Sequence, residues 1–162
     1  MNKLELLLTL LEESVEKCYQ QDFTLIDRSM ERASVARIYY YMQDLLKNDN
    51  RFTALAHYNL DGEYNKNGER VKRTDHSING KLPDIILHKR LSNSENTMIL
   101  ELKATRRDIE NDFIKLMDFT NPNANNLYNY FLGVFVMLKR NTPQYTYFQN
   151  GKVTKKKDLN YE

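Results

Sequence analysis

A chain of 162 residues suits one domain, residues 1–162, with room for a hydrophobic core. Its 24 lysines and arginines nearly balance 22 aspartates and glutamates, so a net charge of +2 neither demands nor excludes a polyanionic partner. One cysteine, Cys18, excludes an internal disulfide, and without a signal peptide or a long apolar run the expectation is a cytoplasmic protein with no membrane segment.

In chain order, Leu4, Leu7, Leu8, Leu11, Val15 and Cys18 recur at helical spacing, which predicts an amphipathic helix over 3–20 with Cys18 on its packed stripe. A second helix is expected after a cap at Asp27 or Ser29. It carries Val35, Ile38, Tyr39, Met42, Leu45 and Leu46 on one face until "KNDN" stops it. Glu31 falls in register with that apolar face. A buried carboxylate is costly without a partner or a metal, although a glutamate in a first helical turn is also favoured by the helix dipole.

From residue 52, "FTALAHYNL" reads as a strand, and "DGEYNKNGERVKR" reads as a hairpin or loop. Two short apolar runs follow, "LPDIILHKR" at 82–90 and "MILELKA" at 98–104, expected to be consecutive strands. Next comes a helix, with Thr105 as cap, Asp108 completing an approximate capping box, and Ile109, Phe113, Leu116 and Met117 facing inward. Residues 130–138, "YFLGVFVML", suit a central strand covered on both faces, and "YTYFQNGKV" suits a hairpin turning at Asn150-Gly151. The tail "KKKDLNYE" is expected in solvent. The sum is an α/β chain, a mixed central sheet flanked by helices, two of them N-terminal.

Three charged residues stand where these strands should be apolar. Asp84 shares strand parity with Ile86 and His88, while Ile99, Glu101 and Lys103 share one face of the next strand. Alternate residues on a strand lie about 6–7 Å apart and neighbouring strands about 5 Å apart, so suitable register brings the three side chains together. Paired carboxylates repel unless a cation offsets them. Mg²⁺ or Mn²⁺ does so with one or two carboxylates, water and a phosphate oxygen, and a nearby lysine can stabilise charge growing on phosphate oxygens. The chemistry suggested is metal-assisted phosphodiester hydrolysis.

The run Pro83-Asp84 followed by Glu101-Leu102-Lys103 resembles the motif of the PD-(D/E)XK nuclease superfamily. That resemblance implies a restriction-endonuclease-like fold, a mixed four-stranded sheet between helices. It further implies Asp84 and Glu101 as metal ligands and Lys103 as the catalytic cation. Glu31 resembles the early-helix glutamate that completes the metal site in many members, and Glu63, in a Glu-Tyr-Asn stretch, resembles a further acid of small relatives. An ordinary polar hairpin is the competing reading of this stretch, and Asp61, two residues earlier, is the weaker candidate.

Lys66, Arg70, Lys72 and Arg73, with Arg106 and Arg107 beyond Lys103, border the proposed site and could neutralise phosphates, although charge runs commonly form solvated faces. Asp112 and Lys115 read as a helix-surface pair, and His88 as structural or peripheral. The expected function is a Mg²⁺- or Mn²⁺-dependent nuclease acting on DNA rather than RNA, with a homodimer required if one event cuts both strands. The alternative is a nuclease fold serving as an inactive nucleic-acid-binding or protein-interaction module.

Overall fold

The computed structural model describes residues 1–62, 66–67, 70–71, 82–123 and 128–160. Helix α1 spans Lys3–Gln21 and opens on a reciprocal cap: the Asn2 side chain accepts from Glu5 N–H, and the Glu5 carboxylate accepts from Asn2 N–H, both at 2.9 Å. Its buried face includes the expected leucines, Val15 and Cys18. Burial pushes the Cys18 thiol up to about 11, the setting of a packing residue rather than a nucleophile. A single-turn helix α2 (Phe23–Asp27) leads into α3 (Glu31–Asn48), which packs along α1 through Ile38, Tyr41, Met42 and Leu45.

The strand expected from residue 52 begins later. Asn50–Leu55 forms a 3₁₀ helix whose first N–H groups are met by Asp49, and strand β1 covers only Asn59–Gly62. The reason lies in spacing: Phe52 and Leu55, three apart, share one side of a 3₁₀ turn and are both buried. Lys66–Asn67 (β2) and Arg70–Val71 (β3) pair antiparallel, as the Gly/Asn-rich stretch suggests. Strands β4 (Ile85–His88), β5 (Asn96–Lys103), β6 (Leu132–Met137), β7 (Gln144–Gln149) and β8 (Lys152–Thr154) complete the main sheet.

That sheet is mixed and has six strands in the order β1-β4-β5-β6-β7-β8, with β5 and β6 parallel and the other pairs antiparallel. β5 therefore runs at its centre with neighbours on both sides, and every residue but Lys103 is buried. Alternation divides its side chains. Met98, Leu100 and Leu102 join the layer beneath α1 and α3, while Ile99 joins Ile86, Phe135 and Phe148 in the layer beneath α4 (Ile109–Thr120). α4 approaches β6 closely at Gly133, where a Cβ would stand 3.0 Å from Thr120 Cγ2 and 3.2 Å from Phe148 Cβ.

Two further expectations are corrected. α4 has no capping box at Thr105. It begins at Ile109, after Asp108 in a left-handed conformation (φ 57°) and with no side-chain cap. The Ala104 N–H is instead taken by Glu31 Oε2 at 2.9 Å, which draws the chain beyond β5 toward α3 and delays the helix. Nor is the tail wholly in solvent: Lys155–Lys157 are exposed, but Leu159 is buried among the α1/α3 layer, and Asn160 N–H donates to Gln149 Oε1 at 2.7 Å. The β7–β8 turn does fall at Asn150-Gly151, both with positive φ (52° and 72°), as a tight hairpin of this twist requires.

Candidate functional site

The pairing Ile85↔Leu100, continued by one residue, sets Asp84 across from Glu101 on the face covered by α4. Asp84 precedes β4 and is held in place by its Oδ2, which accepts the Leu102 N–H at 2.8 Å. Glu101 is 2% exposed, a carboxylate at the centre of a sheet. Lys103, next on the same face, is partly exposed at the strand's end. Its Nζ lies 3.7 Å from Glu31 Oε1 and 3.5 Å from Asp112 Oδ2. Glu31 comes from the opposite layer and reaches Lys103 around the end of β5, using its other oxygen on Ala104.

α4 contributes two residues that the sequence pattern assigns to its surface. Lys115 Nζ lies 2.8 Å from Glu101 Oε1 and 3.4 Å from Asp112 Oδ1, and it donates to the Leu82 carbonyl at 3.4 Å. Asp112 is 6% exposed. The pair exists, but it faces the sheet, so the surface expectation is corrected. Periodicity carries the signal for Asp112, which falls between Ile109 and Leu116 on the inward face. Lys115 has no such signal, because its long stem delivers a charge inward from a flanking position.

Electrostatics at the cluster follow from burial and charge count. Burial is the largest influence on Glu101 and pushes its carboxyl well above 4.5; the Lys115 ammonium opposes this, and Asp84 adds to it. Asp84 is raised for the same first reason, against the Leu102 hydrogen bond and Lys115. Burial draws both lysines down, but the surrounding carboxylates outweigh it and hold each above 10.5. Asp84, Glu101, Asp112 and Glu31 face only two ammonium groups, so with all ionised the cluster carries a formal excess of two negative charges.

Glu101 Oε1 and Asp112 Oδ2 are buried without a well-aligned hydrogen-bond donor among the described residues, and their lysine contacts are ion pairs. Among the described residues no group of three or more His, Cys, Asp or Glu is disposed to hold a metal ion, which leaves Asp84 and Glu101 as a two-carboxylate pair. Two buried carboxylates facing one another are a donor set that a hard cation of the Mg²⁺ type would fit, since it needs only one or two protein carboxylates, with Lys115 as the counter-charge of Glu101 in its absence.

Of the other expected site residues, Arg106 and Arg107 are exposed in the segment after Lys103. Lys66 and Arg70 lie on the β2–β3 pair, with side chains outside the described residues, as are Glu63, Lys72 and Arg73 altogether. Asp61 is not with the acids. It stands on β1 and contacts His88 Nε2 at 2.9 Å, and Arg90 donates to both its oxygens, an arrangement in keeping with a structural His88. No described helix is long and apolar enough to cross a membrane. Comparison of the chain with protein-family models, with curated proteins and with solved structures finds no match.

Proposed function

We propose that this chain is a metal-dependent nuclease of the PD-(D/E)XK type, hydrolysing phosphodiester bonds, with DNA as the favoured substrate. The observation that carries the proposal is Asp84 opposite Glu101, with a lysine two residues further along the same face. A divalent cation, Mg²⁺ or Mn²⁺, held by these two carboxylates would supply Lewis-acid chemistry at the scissile phosphate.

The chain's own groups do the rest. Lys103 remains charged at neutral pH, so it acts as a fixed cation toward negative charge developing on the phosphate oxygens, not as a base. Glu31 holds that ammonium from the far side and ties the segment after β5 to α3, fixing where Lys103 can point. The exposed Arg106 and Arg107 follow Lys103 closely in the chain and would meet the phosphates of a nucleic-acid backbone. Leu102 N–H orients Asp84 from within the sheet.

A second reading has one observation in its favour: Lys115 already gives Glu101 a counter-charge, as it would in a fold kept for binding alone. Purified protein incubated with plasmid and with single-stranded DNA, in Mg²⁺, Mn²⁺ or EDTA, separates the two. Cleavage is expected with metal, and Lys103→Ala and Asp84→Asn should each abolish it. Cleavage that survives both substitutions sinks the proposal, and DNA binding with no metal-dependent cleavage favours the binding module.

A further inference from the structure

Glu101 is more deeply buried than any other described acid, and the cation nearest to it is Lys115, not the Lys103 of the motif. A buried carboxylate left without a counter-charge is strongly destabilising, so the Lys115 contact has a clear role when no metal is present. The same ammonium has an alternative. Asp112 Oδ1 lies 3.4 Å from it, one turn away on α4, and Asp112 Oδ2 is itself without a well-aligned donor. One lysine is thus shared between an acid of the sheet, opposite Asp84, and an acid of its own helix.

We propose that Lys115 is a positioning residue that serves as the internal counterion of Glu101, releasing it to a divalent cation by moving fully onto Asp112. This rests on the metal-site reading above and adds the device that controls how tightly the cation is held. An ammonium and a divalent cation drawn to one carboxylate repel each other, so cation binding at Glu101 favours displacement of Lys115. Displacement would be costly if it left a buried lysine alone. Asp112 removes that cost, because the ammonium exchanges one carboxylate for another without leaving the cluster. Once all four acids are ionised, the formal excess of two negative charges around the pair of lysines matches the charge of the incoming ion.

The test measures Mn²⁺ binding to the full chain by electron paramagnetic resonance of the free ion, with thermal unfolding in EDTA and in saturating Mn²⁺ alongside. Lys115→Met is expected to bind Mn²⁺ on the order of tenfold more tightly than the wild type, and Asp112→Asn on the order of tenfold more weakly, the scale at which groups around a metal's ligands act. Lys115→Met should also unfold at lower temperature in EDTA yet gain more from Mn²⁺ than the wild type does. Lys152→Met, which removes an exposed lysine on β8, should leave affinity unchanged and so controls for net charge.

Should Lys115→Met not fold in EDTA, Lys115→Gln, whose amide can still donate to Glu101, is titrated in its place with the same direction expected. Unchanged or weaker Mn²⁺ binding by the Lys115 variant, beside a wild type that binds, overturns this inference alone and leaves Lys115 as an ordinary ion pair. A wild type that binds no Mn²⁺ overturns both the inference and the metal-dependent function.

Discussion

Lys115 Nζ and Glu101 Oε1 stand 2.8 Å apart, joining the middle of α4 to the middle of the sheet beside a cluster of aromatic and aliphatic side chains. Burial and this contact act on Glu101 in opposite directions. Lys115 only partly offsets the burial of Glu101, so the folded carboxyl keeps its proton at pH values where the unfolded chain, near 4.5, has lost it. Asp84 behaves alike from 3.8 upward.

The consequence is a stability that falls as pH rises. Above 4.5 the native state binds more protons at Glu101 than the unfolded state, so this contribution is complete below that value and declines toward the folded pKa. In EDTA, the urea midpoint should be higher at ~pH 5.5 than at ~pH 7.5, and Glu101→Gln should shrink the difference. Equal midpoints in the wild type would count against the protonated buried acid.

Arg106 and Arg107 are expected to contribute charge, not sequence reading. Replacing both with alanine should weaken DNA binding uniformly across sequences and lower the slope of log affinity against log salt by about 0.9 for each phosphate that is no longer neutralised. A filter-binding series over a range of salt tests this. An unchanged slope would place both arginines on a solvated face.

Gly133 is required by its neighbours. Its missing side chain admits Thr120 and Phe148, and Gly133→Val should destabilise by about 1–3 kcal/mol through overpacking between α4 and the sheet. Denaturant unfolding at saturating metal is the measure, and a stability equal to wild type would mean that α4 can move away without cost.

At the far end of β4, Asp61 is held below the usual carboxylate range: burial pushes it up, but hydrogen bonds from Arg90 and His88 outweigh this. Asp61→Asn should therefore cost about 1–3 kcal/mol at neutral pH, because His88 is buried and loses a charged partner. The carboxylate's contribution is present above 3.8 and disappears as pH falls through its folded value, so the two proteins should converge in stability in acid. DNA cleavage should be unaffected, since this group lies apart from the acids beneath α4.

Much of the architecture is legible in local pattern. Period locates α1 and α3, although α3 opens after Met30 with no side-chain cap rather than from Asp27 or Ser29; strand alternation assigns Glu101 and Lys103 to one face, and Asn150-Gly151 marks its hairpin. Failures occur where a long-range contact, or a local spacing that composition hides, overrides the apparent preference. Thr105 is a reasonable cap until Glu31, 73 residues away, claims the Ala104 N–H. "FTALAH" has the composition of a strand, but a three-residue spacing of buried groups decides for 3₁₀. At the site, the acids are readable because charge inside an apolar run is conspicuous. Lys115 is not, since a lysine beside a helix's buried face resembles any surface lysine until the sheet beneath it is known.

The bond between Glu31 and Ala104 also orders events in time. Pairing of β4 with β5, and of Lys115 with Glu101, joins segments close in the chain, whereas Glu31 meets Ala104 across 73 residues. Contacts that close short loops form before those that close long ones. The corner at Lys103 is therefore expected to assemble after the β4–β5 pairing, when the α1/α3 layer docks onto the sheet. A chain still emerging or partly unfolded would carry all of these acids and lysines without yet bringing them together.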